Sequence, residues 1–106
     1  MKNCEFVRDV RLGIELPRLL ADWEDIAEGE RAEIVAYWEH IRGRIPDRIR
    51  ELERSIQEMQ RLLGEEEDFR RSCVLNAEIA ELAGRINELN QWFRVDPNVD
   101  ADNSRV

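Results

Sequence analysis

The sequence predicts an all-α protein: an antiparallel coiled-coil helical hairpin carrying two shorter N-terminal helices, with a short N-terminal strand as an option. Three observations lead there. Charged residues make up 38% of the 106-residue chain, against only 5 glycines and 3 prolines, a composition suited to long, exposed helices. Two apolar seams, Ile45-Ile49-Leu52-Ile56-Met59-Leu63 and Leu75-Ile79-Leu82-Ile86-Leu89-Phe93, step by alternating fours and threes, the spacing of coiled-coil a and d positions. The seams are also out of phase. Continuing the first one lands on Glu66, Arg70, Cys73, Ala77, Ala80, Gly84, Asn87 and Gln91, which are mostly polar or small. The actual second seam sits two residues later, roughly half a turn around a helix at about 100° per residue. One straight helix would carry its stripes on opposite sides, so two helices folded back on each other are expected.

Taken in order, residues 1–16 form an N-terminal arm. Val10, Leu12, Ile14 and Leu16 alternate with Arg11, Gly13 and Glu15, the period of a strand. A strand needs a mate, either the segment around Phe6 or a second copy; the other reading is an irregular arm lying on the helices. Residues 17–94 form the helical domain, with helices at about 17–28, 30–42, 46–63 and 67–93. Pro17 suits a first helical position, and Leu16, Leu19, Leu20, Trp23 and Ile26 or Ala27 would share one face. Gly29 is read as a cap. Ile34, Trp38 and Ile41 stripe the second helix. Gly43-Arg44-Ile45-Pro46 then reads as a break or sharp kink, with Ile45 pushed out of the helical region by the following proline; a continuous but kinked helix is the alternative. Gly64 would close the third helix. Glu65, Glu66, Glu67 and Asp68 suit the positive first turn of the fourth, with Glu66–Arg70 and Glu67–Arg71 as pairs. Arg54–Glu58 is expected as a further pair. Residues 95–106, polar and interrupted by Pro97, are expected to be a disordered tail.

Composition also narrows the function. The formal charge is −8, from 16 basic and 24 acidic residues with His40 neutral. An affinity for duplex nucleic acid rests on neutralising phosphates, and one for anionic membrane surfaces on basic segments, so neither partner is expected. No secretory leader and no membrane-length apolar run is visible. Cys4 and Cys73 are expected to be reduced thiols in a cytoplasmic protein. Lys2 is the single lysine; arginine makes the better carboxylate fork, although codon bias explains the preference as well.

The chemical signals are few. His40 is the only histidine, and Tyr37 stands where a Glu-x-x-His site would need glutamate. The cysteines lack metal-ligand spacing, and Cys73 falls beside the seam as a small packed residue. No catalytic residue, metal or cofactor is assigned. The enzymatic alternative uses carboxylates at helical spacing, which on two facing helices can hold Mg²⁺. Glu24-Asp25-Ile26-Ala27-Glu28 and Glu78-Ile79-Ala80-Glu81 resemble, in outline, the acidic helices of all-α nucleoside triphosphate pyrophosphatases of the MazG type. That resemblance implies a metal-dependent nucleotide hydrolase with Glu78 and Glu81 in the metal shell. The two segments stand much farther apart than in that family, and phosphate-binding lysines are missing.

The aromatic and small residues point elsewhere. Trp23, Trp38 and Trp92 are core if one chain buries them and interface anchors if it does not. Asn76, Ala83 and Asn90 share a flank of the last helix beside Ala77, Ala80 and Gly84, where another backbone could approach closely and asparagine could fix register. These six, Trp23, Trp38, Trp92, Asn76, Ala83 and Asn90, are the candidate interface residues. The expected function is a non-catalytic cytoplasmic protein–protein interaction or regulatory module, homodimeric because two short helices cannot cover both sides of a long hairpin.

Overall fold

A computed structural model describes residues 1–97 and gives a mostly helical chain that opens with a two-stranded sheet. Strands β1 (Cys4–Asp9) and β2 (Ile14–Leu19) pair antiparallel, and a 3₁₀ turn follows at Trp23–Asp25. Three helical segments complete the fold: α1 (Glu28–Arg42), α2 (Ile45–Glu65) and α3 (Phe69–Phe93). The expected all-α class with two short N-terminal helices is therefore wrong on two counts. The α-helix expected at 17–28 is instead the end of β2 and a 3₁₀ turn, and α1 and α2 join through Gly43 and Arg44 into one long bent helix.

The reason for the first error lies at Pro17. Leu20 N–H donates to Asn3 O, and the register pairs Phe6 with Pro17 and Glu5 with Arg18. The hydrogen-bonded rungs therefore fall on either side of Pro17, whose missing N–H faces away from β1. A proline placed so suits a strand as well as a helix start. The alternation read from Val10 to Leu16 survives only at Ile14 and Leu16; Val10 to Gly13 form the turn. There Gly13 adopts φ +76°, and its N–H donates to Asp9 O at 2.7 Å. The mate of the strand is the Phe6 segment of the same chain.

The bend at 43–44 keeps right-handed backbone geometry at both residues, and Gly43 N–H still donates to Glu39 O at 3.0 Å. Ile45 is helical and fully buried rather than extended. Burying such a side chain is worth roughly 1.5–3 kcal/mol, enough to override the steric preference imposed by Pro46. Neither Gly43, Gly64 nor Gly29 is a left-handed cap: Gly29 lies in the first turn of α1, and α2 runs through Gly64 to an extended Glu66.

The core gathers at one end of the hairpin. Leu12 from the β-turn, Ile14 from β2, Trp38 and Ile41 from α1, Ile45 and Leu52 from α2 and Leu89 from α3 are buried together. A smaller cluster of Cys4, Trp23, Ile26 and Ile34 joins it through half-buried Phe6. Trp23 and Ile26 are buried from a loop and 3₁₀ turn, whereas Leu19 and Leu20, expected on the same helix face, are exposed. Trp38 Nε1 donates to Val95 O at 3.1 Å, and Arg42 Nη1 to Phe93 O at 3.1 Å. Val95 thus packs on the core instead of opening a disordered tail; positions 98–106 of that expected tail lie outside the described residues.

Candidate functional site

The α2–α3 hairpin projects from this head, and the described chain measures 59 × 26 × 19 Å. Its two seams meet as read from the spacing, but burial is uneven. At the base Ile45, Leu52 and Leu89 are buried, whereas Ile56, Met59, Leu63, Leu75, Ile79 and Leu82 farther out are half-buried. Among the described residues no third layer covers this outer half, and Leu62, Phe69 and Val74 are exposed there. Two adjoining grooves of about 550 and 430 Å³ run along one side of the seam, sharing Val74 and Glu78. The tip is closed by Asp68, whose side chain accepts Arg71 N–H at 3.2 Å as the α3 cap. Glu66 pairs with Arg71 at 4.0 Å rather than with Arg70, and Glu65 with Arg61. Glu58 pairs with Arg61 rather than Arg54, and that hydrogen bond holds its carboxyl below the usual carboxylate range.

The outward faces of the two helices differ in kind. That of α2 is charged, with Arg50, Glu53, Arg54, Glu58 and Arg61 exposed. On α3, positions 69, 73, 76, 80, 83, 87 and 90 repeat the coiled-coil step of fours and threes, yet they are Phe69, Cys73, Asn76, Ala80, Ala83, Asn87 and Asn90, all exposed and none charged. Gly84 lies beside them, and a Cβ added there would meet nothing within 4 Å. In a chain that is 38% charged, a solvent-facing stripe of this length without charge is a departure from ordinary helix amphipathicity. Phe69, 80% exposed, was missed in the sequence reading; extending the Asn76–Ala83–Asn90 flank backwards by heptad steps reaches it.

The sequence candidates fall into two groups. Asn76, Ala83 and Asn90 lie on this exposed stripe. Trp23 and Trp38 are buried in the chain's own core, and Trp92 is half-buried edge-on to Trp38 with ring centroids 5.8 Å apart. Cys73 is exposed rather than packed; Cys4 is buried, which pushes its thiol pKa up, and both cysteines are free.

The acidic segments do not assemble as facing helices. Glu24 and Asp25 sit in the 3₁₀ turn, and Glu28 opens α1. Glu81 accepts hydrogen bonds from Arg11 Nε at 2.7 Å and Arg85 Nε at 3.2 Å; the Arg11 bond chiefly, then Arg85, holds its carboxyl below the usual range. Glu78 lines the outer grooves. Among the described residues no three His, Cys, Asp or Glu side chains converge as a cation site, and no helix is long and apolar enough to cross a membrane. No protein-family model, curated protein or solved structure matches the chain.

Proposed function

We propose that this chain is a non-catalytic protein–protein interaction module that pairs with a second copy of itself through the outer face of α3. The observation that carries the reading is the uncharged, exposed a/d stripe from Phe69 to Asn90, set against the charged outer face of α2. Small residues in such a seam let two helix backbones approach closely, and asparagines within it set register.

The chemistry favours an antiparallel mate. With the two-fold axis between Ala80 and Ala83, Ala80 layers on the mate's Ala83, Asn76 on its Asn87, Cys73 on its Asn90 and Phe69 beside its Arg94. The Arg94 guanidinium has no partner among the described residues and would sit at a ring face. A parallel mate would instead place the two Arg94 groups together, and the two heads at the same end. The cytoplasmic setting belongs to the same proposal, supported by the two free cysteines.

Molar mass by light scattering, over a dilution series with reductant, tests the reading: twice the chain mass is expected, falling to one chain mass for Ala80→Arg with helicity unchanged. A wild type that stays at one chain mass at every concentration would refute it. Orientation is tested separately. The two Cys73 residues of an antiparallel pair stand about 25 Å apart along the helix. A short thiol crosslinker should therefore leave wild type uncoupled and couple Asn90→Cys; coupling of the wild type would mean the parallel arrangement.

A further inference from the structure

On the head, away from the outer hairpin, a cleft of about 610 Å³ opens where the β-turn, the end of α1 and the start of α2 meet. That volume lies within the range of small-molecule sites. Gly13, Ile14 and Ile41 give it an apolar floor, and ionisable groups surround them.

The carboxylates of the lining are committed. Tyr37 Oη donates to both oxygens of Glu15 at 2.9 and 3.0 Å. Glu51 accepts from Arg48 Nη1 at 3.0 Å, and Asp47 pairs with Arg50. Arg48 is committed too, since its Nε donates to Leu12 O at 2.9 Å. The remaining cations are not. Among the described residues, the Arg8 and Arg44 guanidinium groups and the His40 ring make no hydrogen bond or ion pair, and all three line the cleft. An acidic chain, in which most arginines are tied to carboxylates, thus leaves two forks free around one concavity whose own acids are occupied. Arginine forks match the paired oxygens of phosphate and carboxylate groups, and such charge-assisted bonds are the stronger kind. Three arginines and three carboxylates line the cleft, so selectivity rests on short-range fork geometry rather than on a long-range field.

We infer that this cleft binds a small dianionic oxyanion ligand, a phosphate ester or a dicarboxylate, held by Arg8 and Arg44 with His40 as a further N–H donor. The inference is independent of self-association through α3.

The test is an NMR titration of the full chain with inorganic phosphate in one arm and succinate in the other, at constant ionic strength held with chloride. Saturable shifts are expected at the amides of Gly13, Ile14, Glu15 and Arg44. Arg44→Gln should weaken binding by about tenfold, the range of one lost charge-assisted bond, and Arg8→Gln with Arg44→Gln should abolish it. Arg54→Gln, which removes a free arginine outside the cleft, should change nothing. Binding in the phosphate arm alone assigns a phosphate ester, and binding in the succinate arm alone a dicarboxylate; either result supports the site. Linear, unsaturable shifts in both arms would overturn it, as would an Arg54→Gln effect equal to that of the cleft variants. The Arg8 and Arg44 side chains make no hydrogen bond or ion pair among the described residues, so matching circular dichroism spectra separate lost binding from lost structure.

Discussion

Replacing Gly13 by alanine probes how the β-turn is docked on α2. Gly13 sits at φ +76°, and a Cβ there would lie 2.6 Å from Arg48 Nε and 3.0 Å from Arg48 Cζ. Two effects add. A side chain in the left-handed region costs about 1 kcal/mol or slightly more. The guanidinium must also move, giving up its bond to Leu12 O, worth about 1–2 kcal/mol for a partly exposed charged donor. The sum, about 2–3 kcal/mol, corresponds to a fall in Tm of roughly 10–20 °C for a domain of this size. Thermal melts at fixed protein concentration measure it, which keeps any self-association constant. A double-mutant cycle separates the terms: after Arg48→Ala, the Gly13→Ala step should cost only the backbone strain, about 1 kcal/mol, leaving a coupling of about 1–2 kcal/mol. Equal Gly13→Ala costs in both backgrounds would refute the steric account, and a harmless Gly13→Ala would refute the turn geometry.

Further outcomes follow from the same structure. Leu89→Ala, at a fully buried position, should cost about 2–5 kcal/mol in urea unfolding, whereas Val74→Ala, 57% exposed, should change little. Trp38→Phe leaves Val95 O without its donor and should cost about 1–3 kcal/mol by the same assay. The Glu30 and Glu81 carboxyls are both held below the usual range, Glu30 chiefly by Asn3 N–H and Glu81 chiefly by Arg11. Their contribution is therefore complete above the unfolded carboxylate value, about pH 4.3, and is lost as pH falls through the lower folded values; Glu30→Gln should flatten the acid limb of a stability–pH curve. Mg²⁺ should leave Tm unchanged, because Glu81 is held by two arginines. A metal-linked rise in Tm that Glu78→Gln abolishes would favour the hydrolase reading instead.

The hairpin was legible because its signal is local: each seam repeats along one helix, so Ile45 to Leu63 and Leu75 to Phe93 reveal their faces without knowledge of a partner. The stripe Ile34-Trp38-Ile41 of α1 was legible for the same reason, but the segment before it was not, because its structure depends on contacts distant in sequence. Cys4 and Phe6 lie on one face of the sheet and Ile14 and Leu16 on the other, yet all four are at least half-buried. The strands therefore lack the clean one-sided alternation that marks a half-exposed sheet. Leu12 is buried from a turn, and Trp23 from a 3₁₀ segment too short to have a period. The arginine cleft was invisible for the same reason. Arg8 and Arg44 are far apart in sequence, and what sets them apart is the commitment of the neighbouring acids, which only the folded chain displays.

The position of α1 has a mechanical consequence. Near its start, Glu30 accepts from Asn3 N–H at 2.6 Å and Asn3 Nδ2 at 2.9 Å. Near its end, Trp38 and Arg42 hold the carbonyls of Val95 and Phe93. One helix thus grips both the opening strand's flank and the segment that follows α3, at points about 12–18 Å apart along its axis. Tension applied at the two ends would load these grips along α1 before it could peel α3 from α2. The head would yield first, and the hairpin would be shielded until α1 released an end.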